Sequence, residues 1–207
     1  MNSQTEKIRL QGTAGVIEVQ RDQPSEAARG IAVIAHPHPL FGGTMDNKVV
    51  QTLARAFVQV GWTALRFNFR GVGATEGVHD EGRGEMDDLL ALVDAQAPQG
   101  PLALAGFSFG AFVTANAVQS LWPSGRVGKI VLVGTAAARF PVPVLPPEAH
   151  EATLVIHGEQ DDTVALSAVM DWARPQTLPV TVVPGGGHFF HGQLPLLKSL
   201  VVRHLRS

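Results

Sequence analysis

A serine guarded by two glycines, Gly106-Phe-Ser108-Phe-Gly110, sits where two differently patterned stretches of this chain meet. Residues 102–105 form a short apolar run, as in a strand covered on both faces. Residues 109–121 carry apolar side chains at helical spacing. Strand, serine and helix in that order describe a nucleophile elbow, the turn that lifts a serine hydroxyl above a sheet edge. Such a turn strains the backbone at the serine and crowds neighbouring chain, so positions two before and two after favour residues with no Cβ. The pentapeptide alone is weak evidence, since 22 glycines make it reachable by chance; its flanks give it weight.

A serine hydroxyl is a poor nucleophile near neutral pH and needs a base within hydrogen-bond reach, plus a group that orients the base. Where an elbow is used, the acid follows a later strand and the histidine comes after it. Leu154-Val-Ile-His-Gly158 leads into Glu159, Asp161 and Asp162, and Val183-Pro-Gly-Gly-Gly187 leads into His188. Asp161 and Asp162 compete for the orienting role, although Asp162 also suits a helix cap and Glu159 a solvated turn. His191 competes with His188. The three glycines before His188 let its loop return over the serine, so His188 is the expected base and His191 a partly exposed polar residue.

Negative charge developing on an attacked carbonyl needs hydrogen-bond donors. One is expected from the backbone N–H of Phe109, directly after the nucleophile, and the other from the loop His36-Pro-His-Pro-Leu-Phe-Gly42-Gly43. Pro37 and Pro39 have no N–H. His38 and Leu40 remain, with Leu40 preferred and His38 the alternative.

Two other chemistries are weakly signalled. His36 and His38 flank a proline without a nearby carboxylate, short of the three-ligand spacing of a catalytic zinc site, so no metal is expected. Gly71-Val-Gly73-Ala-Thr-Glu-Gly77 imitates a dinucleotide loop but has Glu76 where the third glycine belongs, and no helix pattern opens there. It reads as a glycine-rich turn, and no cofactor is expected.

A chain of 207 residues with 45% hydrophobic content suits one domain, residues 1–207. A formal net charge of -2 and the lack of a long basic run argue against nucleic-acid or anionic-membrane partners. The absence of cysteine removes thiol catalysis and disulfides. Residues 1–9 lack the charged start and apolar stretch of a secretory leader, and apolar runs fall well short of the ~20 residues of a membrane span. Cytoplasmic residence is the expectation.

Strands are predicted at 15–20, 31–35, 63–69, 102–105, 129–133, 153–157 and 180–183, with 7–10 a possible edge strand. Helices are predicted at 47–60, 85–96, 109–121, 165–173 and 194–205. This alternation is the mark of an α/β fold, a mostly parallel central sheet of about seven or eight strands flanked by helices. Chemistry then belongs in the loops beyond the carboxyl ends of the strands. Residues 135–150 hold Pro141, Pro143, Pro146 and Pro147, which defeats helix and central strand alike.

Four blocks together, Ala35-His-Pro-His-Pro-Leu-Phe-Gly-Gly-Thr-Met-Asp-Asn-Lys, Leu65-Arg-Phe-Asn-Phe-Arg-Gly-Val-Gly, Gly106-Phe-Ser-Phe-Gly and Gly187-His-Phe-Phe, resemble the small α/β-hydrolases of the dienelactone hydrolase-like group, in particular its short bacterial serine esterases. The resemblance runs from about Ile31 to the C-terminus. It implies a single-domain α/β-hydrolase fold and a triad of Ser108, Asp161 and His188, with Asp161 preferred over Asp162 on the Gly-x-x-Asp-x-x-Val spacing. Two departures matter. Larger members insert helices where this chain has only residues 135–150, which implies no helical lid, an open site and short-chain esters. The dienelactone hydrolases use a cysteine nucleophile, and its absence here favours ordinary esters.

The expected activity is therefore a serine carboxylesterase acting on small esters through an acyl-enzyme. A thioesterase or peptidase on the same triad is the alternative within enzymes, and a non-catalytic binding protein is the alternative outside them. Phe41, Phe109, Phe112, Phe140, Phe189 and Trp122 are candidates to line the pocket.

Overall fold

The structure, a computed structural model, describes residues 5–207; residues 1–4, the start of the stretch read for a leader, lie outside the described residues. The elements follow in the order β1 Glu6–Gly12, β2 Gly15–Asp22, β3 Ile31–Ala35, α1 Lys48–Gln59, β4 Thr63–Phe67, α2 Arg83–Gln96, β5 Leu102–Phe107, α3 Phe109–Leu121, β6 Val127–Val133, β7 Thr153–Gly158, α4 Leu166–Ala173, β8 Val180–Val183 and α5 Leu194–Arg206. The strands form one sheet in the order β1-β2-β4-β3-β5-β6-β7-β8. β1 and β2 pair antiparallel, as do β2 and β4, and every pairing from β4 through β8 is parallel.

Alternation along the central strands divides the core in two. In β5, Leu102 and Leu104 point to one side, and Ala103, Ala105 and Phe107 to the other. Successive strand residues face opposite ways, so a strand buried on both faces must be apolar throughout. Helices α2, α3 and α4 cover the first side and α1 and α5 the second. Helix α1 buries Val49, Val50, Leu53 and Phe57 along one stripe, and the Asn47 side chain caps it by accepting from the Val49 N–H at 2.8 Å.

The predicted edge strand exists as β1, whose register runs from Glu6 opposite Arg21 to Gly12 opposite Gly15. One predicted strand is shorter: β4 stops at Phe67 instead of running to residue 69. The Phe69 N–H leaves the sheet to donate to Nε2 of His36 at 2.9 Å. The proline-rich residues 135–150 hold only short turns, a hydrogen-bonded one at residues 137–139 and a 3-10 turn at Pro147–Ala149, so no helix covers the site.

Chain order reverses around β3, which lies between β4 and β5. From β3 the chain departs to α1 on one face, and from β5 it departs to α3 on the other. Diverging loops leave a crevice beyond the carboxyl ends of β3 and β5. The His36–Gly43 loop and Ser108 meet there.

Candidate active site

Ser108 joins β5 to α3 with φ 57 and ψ -117, a conformation in which an ordinary side chain is strained. The glycines around it are there for contact. A Cβ on Gly106 would fall on the Gly110 carbonyl, and one on Gly110 would fall on the carbonyl oxygens of Ala35 and His36. The turn therefore lies hard against the end of β3, and both flanking positions must be bare.

The acid and the base arrive on two loops that are bonded to each other. The Gln160 N–H donates to the Gly186 carbonyl at 2.8 Å, and a Cβ on Gly158 would collide with that same carbonyl. This contact carries the glycine loop over the end of β7. Nδ1–H of His188 donates to Oδ2 of Asp161 at 2.7 Å, and the Ser108 hydroxyl donates to Nε2 of His188 at 3.0 Å. All three side chains are buried.

Oδ1 of Asp161 accepts from the backbone N–H groups of Thr163 at 2.9 Å and Val164 at 2.7 Å. Burial alone would raise its pKa, but the bonds from His188 and these amides outweigh it and hold the carboxyl below its ordinary range. Asp161 therefore stays ionised and fixes the proton of His188 on Nδ1, leaving Nε2 free to accept. Asp162 lies exposed and accepts only from the Thr163 hydroxyl. It caps nothing, because Ala165 occupies the N-cap of α4. Glu159 accepts from the Gly185 N–H at 2.8 Å, and His191 stays at the surface.

Leu40 is the second donor that the sequence favours over His38. Its N–H is already committed to Nδ1 of the His38 ring at 3.2 Å, and Leu40 does not line the cleft. His38 does line it, and the backbone N–H groups of His38 and Phe109 donate to no acceptor among the described residues. Burial lowers the pKa of the His38 ring, and the neighbouring His79 adds to the effect, which keeps the acceptor nitrogen unprotonated.

His36 holds the base of the same loop. Accepting at Nε2 from Phe69 leaves its proton on Nδ1, which donates to the Pro37 carbonyl at 2.6 Å. Burial pushes its pKa down to about 4, only partly offset by that carbonyl. With both ring nitrogens occupied, His36 has none left for a metal, and no cluster of three metal-ligating side chains forms among the described residues. Past the loop, Oδ1 of Asn68 accepts from the Met45 N–H at 2.9 Å, and Arg66 donates to the Met45 carbonyl at 3.0 Å. Arg66 also pairs with Asp22. Sequence reading gave Arg66 and Asn68 no role. Their only signal was that the Leu65-Arg-Phe-Asn block recurs alongside the His36 block in the family pattern.

A cavity of about 300 Å³ opens at Ser108, at the small end of ~300–1,000 Å³ ligand pockets. Phe41, Phe109, Phe140 and Phe189 line it. Phe112 stands behind, stacked on Phe140 with centroids 4.9 Å apart. Trp122 lies beyond the far end of α3 and is not in the cleft. Arg139 lines the cleft and was not anticipated.

Comparison with known proteins agrees with this architecture. No protein-family model matches the chain. A crystal structure from Xanthomonas campestris, described as an α/β serine hydrolase without lid, is 36% identical, covers 100% of this chain and 95% of its own, and superposes with a TM-score of 0.88. An α/β serine hydrolase homologue from Coxiella burnetii is 36% identical, covers 99% of this chain and 100% of its own, and has a TM-score of 0.84. An uncharacterized protein of Rickettsia prowazekii is 40% identical over 116 residues, 54% of this chain and 49% of that protein, so the match spans about half of that relative. The chain belongs to the α/β serine hydrolases, in the form without a lid. It has the fold expected from the dienelactone hydrolase-like resemblance. Among the described residues, no helix is long and apolar enough to cross a membrane.

Proposed function

We propose that this protein is a serine carboxylesterase that hydrolyses small esters through an acyl-enzyme. The observation that carries the reading is the continuous relay from Ser108 through His188 to Asp161, at 3.0 and 2.7 Å, in a cleft open to substrate. Ser108 Oγ attacks the ester carbonyl while Nε2 of His188 takes its proton, and Asp161 holds the ring and offsets its positive charge. The carbonyl oxygen, now negative, lies toward the N–H groups of Phe109 and His38. His188 returns the proton to the leaving alcohol. Water then repeats the attack and frees the acid.

The small cavity and the absence of a helical cap support short acyl chains. The relay does not itself select the leaving group, so the same residues would serve a thioester or an amide, and ester specificity rests on the cleft. The net charge of -2 supports a small-molecule substrate over a nucleic-acid or anionic-membrane partner, and cytoplasmic residence is part of the same proposal.

The test is labelling by a fluorophosphonate followed by rates on p-nitrophenyl esters of increasing chain length, an acyl-CoA and aminoacyl amides. Ser108→Ala should abolish labelling and lower turnover by on the order of 10⁴ to 10⁶. A variant that keeps a tenth of the rate would remove the assignment, and faster cleavage of thioesters or amides would replace the ester reading.

A further inference from the structure

We propose that the cleft selects esters of a compact apolar or aromatic acid bearing one carboxylate, and that Arg139 reads that carboxylate. The inference rests on the esterase reading above and adds the substrate class to it.

Among the described residues, Arg139 is the only one with a permanent charge that lines the cavity, and no aspartate or glutamate lines it. Arg66 and Arg70 are each held by a carboxylate, Asp22 and Asp88 respectively. Arg139 has no such partner among the described residues. Its guanidinium instead stands over the Phe41 ring, 5.8 Å from the centroid, where the attraction is to the ring face and the planar donors stay free. The backbone that carries it is fixed, because the N–H groups of Arg139 and Phe140 both donate to the Ala136 carbonyl at 3.1 Å, directly beyond β6.

Beside this cation runs a continuous aromatic wall. His38 lies 4.8 Å from Phe41 and 4.9 Å from Phe109, and Phe109 lies 5.1 Å from Phe140. The wall suits a flat or compact apolar group, and the guanidinium at its side suits a planar oxyanion held by two parallel N–H donors. One cation matches one negative charge. A phosphate monoester would bring a second charge that no lining residue balances. Glu81 and Glu85 lie near His38 and His79 and do not line the cavity, so they oppose an anion only weakly at this place.

The test compares monomethyl terephthalate with methyl 4-isopropylbenzoate, which replaces the carboxylate by a neutral branched group with the same number of heavy atoms. Arg139 is exposed, so at low ionic strength the native protein should show a kcat/KM ratio of about 3 to 5 in favour of the acid, the scale of one solvent-exposed ion pair. Arg139→Met should bring that ratio to about one, Arg139→Lys should keep part of it, and 0.5 M NaCl should shrink it in the native protein by screening. Circular dichroism of both variants establishes that they fold. A native ratio near one, or the same ratio in native protein and Arg139→Met, overturns the carboxylate assignment while leaving the esterase reading intact. Failure to hydrolyse either ester together with failure of fluorophosphonate to label Ser108 overturns both.

Discussion

Acid should weaken this protein through His36, and the size of the effect follows from its bonds. In the folded protein Nε2 accepts from Phe69 and cannot hold a proton without breaking that bond, and burial holds the pKa at about 4 against an ordinary 6.5. Between those values the unfolded chain binds a proton that the folded protein refuses, so stability falls as pH falls. The contribution is complete above 6.5, roughly 2 kcal/mol smaller by pH 5, and gone, on the order of 3 kcal/mol in total, once pH passes below 4. His157 and His204 are also lowered by burial and act in the same direction, so the contribution must be isolated by difference. His36→Gln places an amide oxygen near the Nε2 position and removes the titration. Urea unfolding of both proteins at pH 7.5, 6.5 and 5.0 should show the variant losing about 1.5 to 2 kcal/mol less than the native protein over that range. Parallel losses in the two proteins would refute the argument, as would a histidine NMR titration placing His36 near 6.5.

The remaining expectations concern the machinery around Ser108. His38→Pro deletes both ring and N–H, whereas His38→Ala deletes the ring alone; if this N–H receives the oxyanion, kcat should be about 10²- to 10³-fold lower in the proline variant than in the alanine one. Equal rates would return the role to another donor. Gly110→Ala drives a Cβ into the carbonyl oxygens of Ala35 and His36, so α3 must shift and carry the Phe109 N–H with it. A loss of roughly 1–3 kcal/mol in denaturant unfolding is expected, with kcat falling more than KM rises; an unchanged midpoint would contradict the close approach.

What could be read without coordinates was periodic or spaced. The helical stripes, the apolar strand runs and the Gly-x-Ser-x-Gly turn are local properties, so α1, α3 and β5 were legible within a residue or two, and Ser108 with them. His188 was legible because three glycines announce a loop that bends back. The choice of Asp161 over its neighbour followed a family spacing, and the reason for it appears only in space: the Thr163 and Val164 amides converge on one carboxylate and leave the other in solvent. The length of β4 and the bond that engages the Leu40 N–H were not legible for one shared reason. Both depend on imidazoles, His36 and His38, that take up backbone N–H groups across a turn, and such bonds leave no periodic trace. Arg139 escaped notice for the same kind of reason. A lone arginine in a proline-rich connection becomes part of a cleft only because β6 ends beside the serine, a proximity that long-range strand order creates and composition does not encode.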